Sequence, residues 1–262
     1  VFAGTFVWHR FFGLSTPLAL KIFGGAVLVS VVSLTLAGAA LVRIWNDGSH
    51  GALRASAAVF LSLLVLAVPL WSLPSLLKLP RLYDITTDVT SPPAFDRVSK
   101  IRQAQANPVR YDQSFALLQT AAYPDIKPLL VARSIADTYT AVRDAVKGLS
   151  WKVIDEQAPE GSRTGYIEAA DRTFIFGFTD DIAIRITGTQ KVSKIDIRSS
   201  SRFGQHDLGR NAERIRRFFA EVKSRLAEVD RSERMERLVA AREAAEKEDA
   251  KRRGRRRRDD DD

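Results

Sequence analysis

The residues best suited to chemistry fall in one stretch, Phe178 to Ile215, which reads FTDDIAIRITGTQKVSKIDIRSSSRFGQHDLGRNAERI. Two adjacent carboxylates, Asp180 and Asp181, open it. Acid/base catalysis needs carboxylates that converge on one space, and neighbours on a strand point to opposite faces. The pair therefore reads as a strand start. Further along, Ser199, Ser201, Arg202 and Gly204, with Asn211 beyond them, lead into a helix that begins near Asp207. Hydroxyls, a guanidinium and free helix N–H groups can together hold an anion, so this segment is the candidate anion or ligand site. Asp207 competes with that reading, because an aspartate ahead of a helix takes up the same N–H groups as an N-cap. His206 reads as isolated and exposed.

Other chemistries have little to work with. There is no cysteine, so disulfides, thiolate catalysis and Cys-based zinc sites are excluded, and the histidines are three and scattered: His9, His50 and His206. No Gly-rich phosphate loop, no HExxH and no nucleophile with a recognisable base is present. The expectation is a protein without catalytic residues, metal or cofactor, that is, no enzyme.

The elements that position these residues follow from alternation. Ile182, Ile184 and Ile186 form one strand face, and Ile195 and Ile197 another. With Gln190 and Lys191 at the hairpin tip, Ile186 faces Ile195 and Ile184 faces Ile197. On the opposite face Arg185 meets Asp196, and Asp181 lies diagonal to Arg198. This is a structural charge ladder in which each facing pair contributes roughly 0.2–1 kcal/mol. A slip of one residue would set isoleucine against charge.

Upstream, Ile126 to Ala132 reads as a first strand. Ser134 and Asp137 make a capping-box-like start to a helix carrying Ile135, Tyr139, Val142 and Val146 on one face and ending at Gly148. Trp151 to Gln157 is the next strand, followed by a turn at Pro159, Glu160 and Gly161. Two further strands, Arg163 to Ala170 and Arg172 to Phe178, join around Asp171. Phe174, Phe176 and Phe178 alternate and are expected to pack in the core; with Tyr166 and Trp151 they could instead line an apolar ligand space. The closing helix carries the stripe Leu208, Ala212, Ile215, Phe219, Val222, Leu226 and Val229. The order gives an α+β fold: an antiparallel sheet covered by two helices, helix-grip-like, behind a two-helix transmembrane hairpin and ahead of a charged C-terminal helical tail.

The hairpin occupies residues 1–79. Ile22 to Val42 and Ala55 to Leu77 are uncharged runs of about 21 and about 23 residues, each enough for a hydrocarbon core of about 30 Å. Trp45 and Trp71 with Arg43, Lys78 and Arg81 supply interfacial anchors. Gly24, Gly25, Ser33, Ala37 and Gly38 are small enough for close helix approach, and Pro69 and Pro74 should kink the second span. Neither span carries a charged residue, so the hairpin reads as an anchor and the bilayer as a partner. Arg10, Lys21, Lys78 and Arg81 outnumber Arg43 and Arg54, which favours a cytoplasmic soluble domain on a bacterial inner membrane over a periplasmic one. Val1 implies a short preceding piece or an alternative start codon. Residues 80–126 form an extended, Pro-containing linker packed on the domain, 127–229 the α+β domain, and 230–262 a charged helical extension with a disordered basic and acidic tail. The net charge of +9 concentrates towards the end of the chain. The RRGRRRR block could meet anionic lipid or nucleic acid, but no aromatics interleave it, which argues against nucleic acid.

The segments DITTD and PPAF (Asp84 to Asp88, Pro92 to Phe95), YPDI (Tyr123 to Ile126), GFTDDIAIRI (Gly177 to Ile186) and IDIRSSSRFGQHDLGRNAERI (Ile195 to Ile215) resemble the domain-of-unknown-function 1499 family, whose bacterial members often carry a membrane hairpin. The resemblance covers residues 84 to about 226 and implies no known catalytic residue, cofactor or substrate. The expected role is therefore a membrane-anchored binding or scaffolding module whose partner is another membrane or membrane-associated protein. The alternatives are an apolar-ligand or lipid-binding domain, and binding through the Arg tail.

Overall fold

The computed structural model describes residues 2–159, 164–173 and 176–259. A short helix, α1 (Phe2–Phe11), opens the chain where no element was expected. Thr5 and His9 are buried, while Val7, Trp8, Phe11 and the following Phe12 are exposed. A two-helix hairpin follows. In α2 (Thr16–Asp47) a proline sits in the first turn, where its missing N–H costs nothing, and Gly48 at φ 66° ends the helix by donating to the Ile44 carbonyl. In α3 (Ala52–Lys78) both Pro69 and Pro74 lie within the helix, which continues through them. Both helices are long and apolar enough to cross a membrane, at about 48 Å and about 40 Å by the α-helical rise.

The buried hairpin residues are Ala19, Ser30, Ala37 and Ser62, all small, as close helix approach requires. The expected set fits only in part. Ala37 is buried, but a side chain at Gly24, Gly25 or Gly38 would meet nothing within 4 Å. Gly24 and Gly25 are exposed and Gly38 is half-buried; an uncharged run offers no charges by which the sequence could mark its inner side.

The rest is a six-stranded antiparallel sheet: β1 (Asp84–Thr86), β2 (Leu129–Val131), β3 (Lys152–Gln157), β4 (Thr164–Arg172), β5 (Thr179–Gly188) and β6 (Ser193–Ser201) in the order β1-β6-β5-β4-β3. β2 shares the β1 edge and pairs with the other end of β6. The β5–β6 register is the one the isoleucine alternation dictates: Ile184 opposite Ile197, Ile186 opposite Ile195, Arg185 opposite Asp196. At the tip only glycine fits, since a methyl at Gly188 would run into the Val192 carbonyl.

Helices α6 (Ile135–Gly148) and α7 (Arg210–Asp259) cover one sheet face. Val142, Ala145 and Val146 of α6 and Ala212, Ile215, Phe218 and Val222 of α7 pack on Ile167, Ile182, Ile184, Ile186, Ile195 and Ile197. Phe218 is fully buried and stacks on Trp151 at 5.6 Å, while its neighbour Phe219 is only partly buried. The expected stripe keeps Ala212, Ile215 and Val222 in the core and is widened by Phe218, because a helix next to a twisted sheet buries a side rather than a line.

The Pro-containing segment is part of the domain rather than a linker beside it: residues 87–111, including α4 (Arg97–Ile101), lie over the second sheet face, and Phe95, Val98 and Ala183 are buried there. It contributes β1, and its helix α5 (Phe115–Ala122) places Gln119 with its side-chain amide donating to Thr86 O at 2.7 Å and accepting from Thr86 N at 2.9 Å. Gln119 thereby continues the ladder beyond the β1 edge. β4 runs unbroken through Asp171 to Arg172, and Thr173 and residues 176–178, the described part of the expected strand beyond it, lie in no strand. Phe174, Glu160, Gly161 and Arg163 lie outside the described residues.

Ser134 caps α6 as expected, accepting from Asp137 N at 3.1 Å. The α7 backbone stays helical to Asp259, which replaces the expected disorder up to that point. We expect Ser134→Ala to lower the unfolding free energy by about 1 kcal/mol, read from denaturant titrations of the full chain in detergent.

Candidate functional site

Asp180 and Asp181 do point to opposite sides of β5, and each meets its own guanidinium. On the helix side the Arg214 guanidinium donates to Asp180 Oδ2 at 2.6 Å and to Asp171 Oδ2 at 2.9 Å. Asp171 and Asp180 are directly opposite in the β4–β5 register, so Arg214 offsets two like charges facing each other. Burial alone would lower the Arg214 pKa; Asp180 and Asp171 reverse this and hold it above its ordinary value. Asn211 completes the cluster. Its carbonyl accepts from Ser199 Oγ and Arg214, and its amide donates to Tyr83 O and Ser201 Oγ.

On the second face three groups of charges sit under the 87–111 segment. Arg198 donates to both oxygens of Asp84, at 3.0 and 2.7 Å, and to Pro93 O and Val109 O. Its guanidinium lies 4.6 Å from the Phe95 ring and 5.6 Å from the Tyr111 ring, within cation–π range. Burial raises the Asp84 carboxyl, and the Arg198 bonds oppose that rise. Asp181 receives Arg102 at 2.9 Å and Arg202 at 2.7 Å. Asp196 takes Arg185 and Lys194, both at 3.0 Å, and Asp88 takes Arg185 at 3.0 Å. Glu168 accepts the backbone N–H groups of Asp96, Arg97 and Val98, closing the start of α4.

The candidate anion site does not assemble as one site. Ser199, Ser201 and Asn211 come together, but they bond one another in the buried helix-side cluster. Arg202 turns to Asp181 on the other face, and the Gly204 carbonyl accepts from Asn107. The ladder register holds, with Arg185 opposite Asp196 and Asp181 diagonal to Arg198, but Asp181 and Arg198 form no pair, because Arg198 is taken by Asp84 and Asp181 by two arginines. Asp84, Arg102, Glu168 and Arg214 were missed. Only Arg214 had a signal: it falls on the buried side of the α7 stripe, between Asn211 and Phe218. Trp151 and Tyr166 lie on opposite faces, since Trp151 stacks on Phe218 and the Tyr166 hydroxyl donates to Ala94 O. They do not share a ligand space.

Asp207 takes the N–H groups of Gly209 at 2.8 Å and Asn211 at 3.0 Å. Burial holds its carboxyl above the usual aspartate range, although these two N–H bonds pull it down. His206 is neither isolated nor fully exposed. Its Nδ1 accepts from Leu208 N, so Nε2 carries the proton and donates to Leu79 O at 3.2 Å, at the end of α3. His9 makes a second tie: Nδ1 donates to Phe176 O at 2.8 Å, and Arg172 donates to the carbonyls of His9 and Arg10. The Phe176 ring is tilted against Phe6 at 4.5 Å, and Phe178 lies 5.5 Å from His9. The aromatic alternation thus serves contact with α1.

Between α3 and the start of α7 lies a cleft of about 650 Å³, with Ala67, Val68 and Trp71 on one wall and Arg210, Glu213, Arg214 and Arg217 on the other. Among the described residues no group of three or more His, Asp or Glu is placed to hold a metal ion.

The fold and its charge clusters define an α+β domain built on an apolar hairpin, with paired buried charges on both sheet faces. Residues 84–222 match the family described as protein of unknown function (DUF1499), and the chain belongs to it. The match runs from Asp84, the partner of Arg198, to Val222, the last core residue of α7. No curated protein and no solved structure matches the chain.

Two outcomes follow from the clusters. Arg198→Met leaves Asp84 buried without its partner and should cost about 3–5 kcal/mol, whereas the double variant Asp84→Leu/Arg198→Met should recover most of it, read from denaturant midpoints. Asp207 has a folded pKa above the unfolded value of about 3.9, so the native state binds more protons between the two. The wild type should therefore lose stability relative to Asp207→Asn as pH rises from that unfolded value through the raised folded one.

Proposed function

We propose that this protein is a membrane-anchored binding or scaffolding module with no catalytic role, held at the cytoplasmic face of a bacterial inner membrane. The observation that carries the reading is the mode of attachment. The domain follows α3 without a loose tether: Leu79 packs on the core, Asp207 N donates to Leu82 O at 2.9 Å, and Ser201 N donates to Tyr83 O at 2.8 Å. With the His9 and His206 ties, the hairpin and domain are fixed to each other at two places. An exposed row of Val7, Trp8, Phe11 and Phe12 on and after α1 suits a helix lying in the membrane interface. The Lys/Arg balance at the hairpin ends supports the cytoplasmic side.

A domain fixed in this way is suited to holding something at a set height above the bilayer. The carboxylates that could do chemistry are already committed to guanidinium or N–H partners. What extends outwards is α7, which carries Met235, Leu238 and Val239 exposed on one side well beyond the core. That spacing suits a helical segment of a membrane-associated protein. The side chains of the RRGRRRR block lie outside the described residues.

Two measurements test this. The full chain should stay with the membrane fraction on alkaline carbonate extraction. A photo-crosslinking residue at Leu238 should give one discrete protein adduct in the native membrane, and the same residue at Arg237, on the side of α7 turned towards Glu233, should give none. Adducts at neither position, together with a substrate turnover abolished by Asp180→Asn in a folded protein, would replace the reading with an enzymatic one.

A further inference from the structure

We infer that the cleft between α3 and α7 holds a phospholipid with an anionic head group, drawn from the leaflet that faces the domain. The inference rests on the membrane reading above. It starts from helix length: α3 is about 40 Å long, about 10 Å more than a hydrocarbon core. Its last turns, where Trp71, Ser72 and Ser75 lie, therefore stand at head-group depth. Trp71 is almost fully exposed, with its ring turned away from the core, as an interfacial anchor is.

The opposite wall is a cationic helix face. Arg210, Arg214 and Arg217 lie one turn apart along α7, on the side turned to α3. Arg214 is committed to Asp180 and Asp171. Arg210 and Arg217 are exposed and make no ion pair among the described residues, and neither does Glu213 between them. Asp171 also lines the cleft and is paired with Arg214, so one unpaired carboxylate, Glu213, stands against two guanidiniums that the fold does not use. Phe176 closes the cleft on the side of the His9 tie.

The two walls have different chemistry, and that selects the occupant. A soluble phosphate would fill only the guanidinium half and leave the apolar wall of Ala67, Val68 and Trp71 wet. A phospholipid satisfies both, with its phosphate between Arg210 and Arg217 and the upper part of its acyl chains along α3. The volume of about 650 Å³ suits a head group and chain tops. Guanidinium forks match phosphate oxygens pairwise. A lipid so placed would join the hairpin to the domain at a third point, beside the two histidine ties.

The test is native mass spectrometry of the full chain in a mild neutral detergent, with phosphatidylglycerol or phosphatidylcholine added. The wild type should retain phosphatidylglycerol in preference to phosphatidylcholine, and inorganic phosphate should not displace it. Arg210→Gln/Arg217→Gln should cut phosphatidylglycerol affinity about thirtyfold, at about a kilocalorie per mole for each cation removed. Arg210→Lys/Arg217→Lys should restore much of it, and Arg231→Gln/Arg234→Gln, which alters the same charge further along α7, should leave it unchanged. Equal retention by the Arg210→Gln/Arg217→Gln variant, equal loss in the control pair, no preference between lipids, or displacement by inorganic phosphate would each overturn the inference. If the chain also leaves the membrane in carbonate, the membrane reading falls with it; if it stays, only the lipid site falls.

Discussion

The bidentate pair of Arg198 and Asp84 fixes the rest of the domain. Arg198 sits in the middle of β6 on the face away from α6 and α7, and Asp84 begins the edge strand beside it. A guanidinium placed there cannot stay dry without partners, because a buried charge left alone costs several kcal/mol. It finds a carboxylate from β1, two carbonyls from the covering segment and the rings of Phe95 and Tyr111. Each of those contacts comes from the stretch between the hairpin and the first α-helix of the core. The pair therefore determines that this stretch folds down over the sheet.

Once that segment is down, the other charges follow. Arg102 reaches Asp181 from it, Asp88 reaches Arg185, and Glu168 takes the N–H groups that start α4. Asp180 and Asp181 are neighbours in sequence but belong to separate electrostatic systems, one on each side of a sheet layer. The helix-side group has two carboxylates around one guanidinium, and the opposite group has two guanidiniums around one carboxylate. Neither resembles a general acid/base pair, in which two groups of shifted pKa must face a shared substrate.

Attachment to the hairpin follows the same economy. The β1 strand that supplies Asp84 begins soon after α3 ends, so the ion pair that covers the sheet also sets the position of the second apolar helix. His206 and His9 act at the two ends of this arrangement, one bonding the last turn of α3 and the other the loop after β4. Each donates one ring nitrogen to a carbonyl, a geometry that orients the contact rather than merely burying area.

Alternation, helical spacing and uncharged runs were enough to give the α+β class, the β5–β6 register, the α6 cap and the two apolar helices, because each depends on residues close together in sequence or on a period that one face of an element imposes. The hairpin register was legible for that reason: isoleucine cannot face charge. The partners of Asp84, Asp181, Glu168 and Arg214 were not, because a guanidinium reaches across layers and sequence carries no record of which segment lies above a sheet face. The same holds for Phe176 and Phe178, whose alternation suggested a strand but whose neighbours are on α1. Local pattern determined the longer elements, α2, α3, α6, β5, β6 and α7, but not α1, β1 or α4. Only the tertiary structure decided which charges meet, since a buried ion must take whatever counter-ion the packing of distant segments brings within hydrogen-bond reach.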